Sequence, residues 1–110
     1  MVSAADDRLY VRLSLSRAKP GSEVEAAKIE DELMAFFAQQ QGYVRGYRIL
    51  GGDAEGRGGR LTLWASTQDA DQAAQTDHVL AQRSELLLLL EEETHVEDAW
   101  IAREVLAAKP

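Results

Sequence analysis

The chain has no cysteine, which excludes disulfides, thiol nucleophiles and thiolate metal sites. It has no long apolar run either. The longest aliphatic stretch, Leu86 to Leu90, is far too short to span a bilayer. Met1 to Asp7 carries neither the basic n-region nor the apolar h-region of a secretory signal, so a cytoplasmic location is expected. Basic charge is scarce: 12 Lys and Arg stand against 19 Asp and Glu, for a net charge of −7. That balance repels phosphate backbones and anionic membranes, so neither nucleic acid nor membrane is an expected partner. Arg57 and Arg60 sit among glycines, and two arginines do not make a basic stripe. The segment Gly51 to Gly59 lacks the Lys-Ser/Thr of a P-loop and leads into a strand, so it is not read as a phosphate cradle.

What is present suits one small domain spanning 1–110. The 110 residues are 45% hydrophobic, enough for a single modest core. A domain of this size leaves much of its surface exposed, so pairing with a second copy would add useful burial.

Leu9 to Ser16 alternates, with Leu9, Val11, Leu13 and Leu15 against Tyr10, Arg12, Ser14 and Ser16. Period two predicts a strand with one apolar face. Lys19-Pro20-Gly21 stops it. Ser22 to Glu25 has the form of a capping box and predicts a helix start. Ala26, Ile29, Leu33, Phe36 and Phe37 then share one helical stripe, and Gly42 supplies a left-handed stop. Tyr43 to Leu50 and Arg60 to Ser66 predict two strands joined by the glycine-rich loop. Ser66 to Asp69 is a weaker capping box opening a helical segment from about Asp69 to about Glu91. Thr76-Asp77 offers a point where that segment re-caps as two helices. Ala73, Val79, Leu80, Leu86, Leu87 and Leu90 form its apolar face. Thr94 to Val105 predicts the last strand. The order β-α-β-β-α-β is that of an α+β, ferredoxin-like domain with a four-stranded antiparallel sheet. Two helices cover only one face of such a sheet.

The chain resembles the dimeric α/β-barrel superfamily, and within it the antibiotic biosynthesis monooxygenase-like family. The matching stretches are Leu13 to Gly21, Phe36-Phe37 to Gly42-Tyr43, and Trp64-Ala65-Ser66 followed by an acidic, alanine-rich helix. The resemblance implies a homodimer whose sheets pack face to face, with a small-molecule pocket between sheet and helices in each protomer. The implied activity is cofactor-independent monooxygenation of an aromatic or polyketide-like compound, with no cofactor and no metal. The alternatives are a non-catalytic ligand-binding or stress-related dimer, and a haem-binding or haem-degrading protein.

The candidate substrate contacts are Trp64, Arg83, Ser14 and Phe37. Trp64 matches the pocket tryptophan of resembling proteins, but a strand tryptophan also serves as packing or dimer interface. Arg83 falls mid-stripe between Leu80 and Leu86. A guanidinium there needs a partner or an anionic ligand, unless it snorkels to solvent or pairs with Glu32 or Glu85. Resembling enzymes place a substrate-contacting arginine at a similar distance from the tryptophan. His78 would be the haem ligand, yet on a continuous helix it lies opposite the leucines. Glu93, His95 and Glu97 alternate as a polar strand face does, without a fourth metal ligand. Tyr10, Tyr43 and Tyr47 are candidate proton donors. No acid–base pair stands out, and no catalytic residue is assigned. Alternation sets Trp64 opposite Leu61 and Leu63. If those leucines face the helices, Trp64 faces the dimer side, unless a β-bulge intervenes.

Overall fold

The computed structural model describes residues 7–105 and 108. Its elements run β1 (Arg8–Ser16), α1 (Glu23–Phe37), β2 (Tyr43–Ile49), β3 (Gly58–Trp64), α2 (Thr67–Ala74), α3 (Asp77–Leu87) and β4 (Val96–Arg103), with a 3₁₀ turn at Glu92–Thr94. The strands form one antiparallel sheet in the order β2-β3-β1-β4. This is the ferredoxin-like arrangement, with its second helix divided.

The helices follow their apolar stripes. In α1, Ala26, Ile29, Leu33 and Phe37 are buried, and so is Glu30. The expected side-chain cap at Ser22 does not form. Ser22 has φ −107° and ψ 5°, outside the extended conformation that swings a capping hydroxyl over the first turn. Ser66 and Thr76 are extended and do cap: Ser66 Oγ accepts from the Asp69 N–H at 3.0 Å, and Thr76 Oγ1 from the Val79 N–H at 3.3 Å. Thr76 also donates to the Ala73 carbonyl at 3.1 Å. One hydroxyl thus closes α2 and opens α3. On α3, Val79 and Leu86 are buried seven residues apart along one line. Leu80 and Leu87 lie at the rim of that line and are about half exposed, so the buried stripe is narrower than the six-residue face expected. Gly42 turns the chain into β2 at φ +83°, and a Cβ there would strike the Asp69 side chain.

Strand boundaries shift modestly. β3 begins two residues before Arg60. β4 begins at Val96 because Thr94 is spent on the preceding turn, where its Oγ1 accepts from the Arg17 N–H and donates to the Glu91 carbonyl. In the hairpin loop Asp53 accepts from the Arg57 N–H and from its guanidinium. These bonds hold the Asp53 carboxyl below the ordinary range.

The register decides which face the helices cover. Tyr10 pairs with Trp64, Arg12 with Thr62 and Ser14 with Arg60, and paired residues share a face. Trp64 belongs to the core with Ile29, Leu33, Phe37, Ala70, Val79 and Leu86, against which Tyr10 and Tyr43 pack. The helix-facing side of the sheet is therefore the polar row of β1 and β3. Leu9, Val11, Leu13, Leu15, Leu61 and Leu63 point to the open face. A bulge between Tyr43 and Arg45 keeps Tyr43 on the helix side while Arg45 joins the leucine side.

The capping contrast is testable by chemical denaturation. Thr76→Ala should cost about 1 kcal/mol, the usual value of a lost cap. Ser22→Ala should cost much less, because the Ser22 hydroxyl caps nothing.

Candidate functional site

A cavity of about 260 Å³ lies between the polar sheet face and the helices. β1 contributes Arg12 and Ser14, β3 contributes Arg60, Thr62 and Trp64, and β4 contributes Glu97 and Ala99. Phe37 of α1, Ala70 of α2 and Arg83 of α3 close it from above. Leu13 and Asp98 also border it, but their register turns the side chains to the open face.

Trp64, Arg83, Ser14 and Phe37, on four different elements, all line this one cavity. Trp64 is 2% exposed. Its ring meets Phe37 edge-on at 5.8 Å and Tyr43 at 5.6 Å, the T-shaped geometry aromatic pairs prefer. Its indole N–H donates to Thr62 Oγ1 at 2.8 Å, which fixes the plane of the ring. These contacts make one end of the cavity aromatic and rigid.

The other end is ionic. Arg83 donates to Glu97 on β4 at 2.6 Å, not to Glu32 or Glu85. Arg12 pairs with Asp71 of α2. Arg60 pairs with Glu30 of α1, and both are more than nine-tenths buried. Asp71 and Glu30 do not line the cavity. Three guanidiniums thus border it, and of the two carboxylates among the lining residues, Glu97 and Asp98, Glu97 is the one on their face of the sheet. Arginine stays charged throughout the physiological range, so this wall can hold an anion but cannot serve as a base.

Reading the sequence singled out neither Arg12 nor Arg60 for the site. The signal was available: both sit in the period-two rows that carry Ser14 and Trp64. Glu30 was equally legible, since it falls four residues after Ala26 and three before Leu33, inside the buried stripe.

The remaining candidates lie elsewhere. His78 is exposed on α3 and stacks on Phe36 with centroids 4.2 Å apart. It does not border the cavity. His95 approaches Glu97 at 3.4 Å, while Glu93 lies in the 3₁₀ turn. Among the described residues no three His, Asp or Glu side chains gather as metal ligands. Tyr47 is about half exposed on the leucine side. No helix of the described residues is long and apolar enough to cross a membrane.

No family model matches the sequence, and no curated protein matches it. Solved structures do. A mutant form of SnoaB, a cofactor-independent oxygenase from Streptomyces nogalater, superposes with a TM-score of 0.75 over 93% of this chain and 99% of its own, at 20% identity. A provisional antibiotic biosynthesis monooxygenase from Nitrosomonas europaea gives a TM-score of 0.73 at 15% identity, covering 88% of this chain and 90% of its own. Another from Caulobacter crescentus gives 0.70 at 18% identity, covering 90% and 91%. The chain has the ferredoxin-like fold of the antibiotic biosynthesis monooxygenase-like proteins.

Tyr43, packed on Trp64, supplies a check on this packing. Burial pushes its phenol above the ordinary value of 10.0, so the folded state disfavours the phenolate. Its contribution to stability is complete below the unfolded value and is lost as pH rises through the folded one. Stability should therefore fall as pH rises above about 10. Denaturant melts of Tyr43→Phe should show a shallower fall across that range.

Proposed function

We propose that this protein is a cofactor-independent monooxygenase acting on an aromatic or polyketide-like small molecule held in the cavity. The convergence of Trp64, Phe37, Ser14 and Arg83 on one cavity carries the reading. Likeness in fold to SnoaB, itself a cofactor-independent oxygenase, supports it. An anthrone-type substrate supplies its own electrons once deprotonated. Its methylene carbon takes one oxygen atom of dioxygen and becomes a carbonyl, and the second oxygen atom leaves as water with the two methylene hydrogens. Trp64 and Phe37 would orient the flat ring, and the Arg83 guanidinium would stabilise the substrate anion.

Oxygen consumption with an anthrone or a quinol and no added cofactor tests this. Arg83→Ala should lower kcat/KM about a hundredfold, as loss of one anion-stabilising donor does, and Trp64→Ala should lower it as well. Unchanged turnover in both would sink the residue assignment. One observation favours a second reading, a non-catalytic ligand-binding protein: the charged groups at the cavity are arginines and a carboxylate already held by Arg83, so no free base is provided. Ligand-induced stabilisation without oxygen uptake would select that reading.

The working form in either case is a homodimer. Among the described residues no helix covers the leucine face of the sheet, and Tyr47 and Trp100 extend it with about half of each side chain exposed. A contiguous apolar face of that kind is an association surface. Sedimentation should give a dimer, and Leu63→Glu, which places a charge among Val11 and Leu61, should give a monomer. A clean wild-type monomer at micromolar concentration would overturn the assembly.

A further inference from the structure

Two side chains at the ionic end of the cavity are more than nine-tenths buried and incompletely used. Arg60 is 8% exposed and Ser14 is 9% exposed. They are direct cross-strand partners on the helix-facing side of β1 and β3, so their Cβ atoms stand about 5 Å apart. Arg60 gives Nη1 to Glu30. Among the described residues its Nε and Nη2 have no protein acceptor, and the Ser14 hydroxyl has no partner. None of these atoms is fully sealed from solvent, since the Gln82 Oε1 is the buried side-chain polar atom left without a partner among the described residues, and both residues line the cavity. A guanidinium offers five donors in a planar fork, and here one edge of that fork remains open beside a hydroxyl.

From this geometry we infer that the cavity takes an aromatic carboxylate, its carboxylate seated between Arg60 and Ser14 and its ring against Trp64 and Phe37. The inference rests on reading the cavity as a ligand site and adds the substrate class. Three features agree with it. Planar donor forks match carboxylates in bidentate fashion. Arg60 and Trp64 lie four residues apart on one strand, about 13 Å at strand rise, which separates an anionic end from an aromatic end. Glu30 leaves Arg60 charged and aimed without entering the cavity. No bond forms or breaks in this step; the carboxylate binds as it is.

Calorimetric titration of the intact protein with 2-naphthoate and with the neutral 2-naphthamide tests the inference. The naphthoate should bind at least tenfold more tightly. Ser14→Ala should weaken naphthoate binding about tenfold, the worth of one hydrogen bond to a charged group, and should leave the amide unaffected. Ser14 holds no protein group, so the fold should survive this change. Replacing Arg60 and Glu30 together by methionine exchanges the buried pair for apolar volume, a change proteins tolerate well. It should abolish the preference for naphthoate. Equal affinity for the two probes, binding of neither, or a preference undiminished in both variants would overturn the carboxylate seat. Oxygen uptake is read separately. Naphthoate preference without any oxygenase turnover leaves the seat standing and removes only the oxygenase reading; anthrone oxidation with no naphthoate preference does the reverse.

Discussion

The direction of alternation in β1 and β3 governs this molecule. Both strands turn their polar rows toward the helices and their leucines away. A slip of one residue would exchange the two faces entirely. With the polar row inward, the apolar stripes of α1 and α3 find Trp64, Tyr10 and Tyr43 to pack on at one end of the sheet. Toward the other end they face Ser14, Arg60 and Thr62, short or charged groups that cannot fill the space as leucines would. The cavity is the consequence. The same choice strands six aliphatic side chains on the opposite face, where no helix among the described residues covers them. A pocket on one side and an unsatisfied apolar face on the other thus share one cause.

Much of the fold was legible because its signals are local. Period-two alternation identified β1 and β3, the 3.6-residue stripe identified α1, and the side-chain chemistry of Thr76 marked the break between α2 and α3. Two features were not. The Ser22 motif has the right residues, but its backbone leaves the conformation a cap requires, and backbone angles at a single residue are set by how the chain enters the helix. The face occupied by Trp64 was undecidable, because alternation is symmetric. Which row turns inward depends on tertiary partners, and a strand whose leucines face away from its own helices contradicts the usual expectation that the apolar row meets them.

The site was legible in a corresponding way. Trp64, Phe37, Ser14 and Arg83 were named from resemblance and from stripe position, and they border one cavity. Arg60 was passed over as an isolated basic residue beside a glycine loop. Its significance appears only through Glu30, which sits on another element 30 residues away in sequence. A charged residue within a helical core stripe, such as Glu30, is itself a signal that an opposite charge must come from the facing strand, since a buried carboxylate without one would be severely penalised.

The Arg60–Glu30 pair contributes little to stability for its cost. Desolvating two charges consumes most of their mutual attraction, and an apolar pair of similar volume would hold α1 against β3 about as well. What an apolar pair could not supply is a cationic wall inside a protein whose net charge is −7. The acidic surface disfavours anions in general. At the cavity the guanidiniums of Arg12, Arg60 and Arg83 border the space with Glu97 while Asp71 and Glu30 stay outside its lining, so cationic donors face a bound ligand although each is ion-paired. An anion with an apolar body gains from both ends of the cavity at once, whereas a small inorganic anion gains from only one. Selectivity of this kind follows from where the carboxylate partners stand and does not depend on how many charges the protein carries.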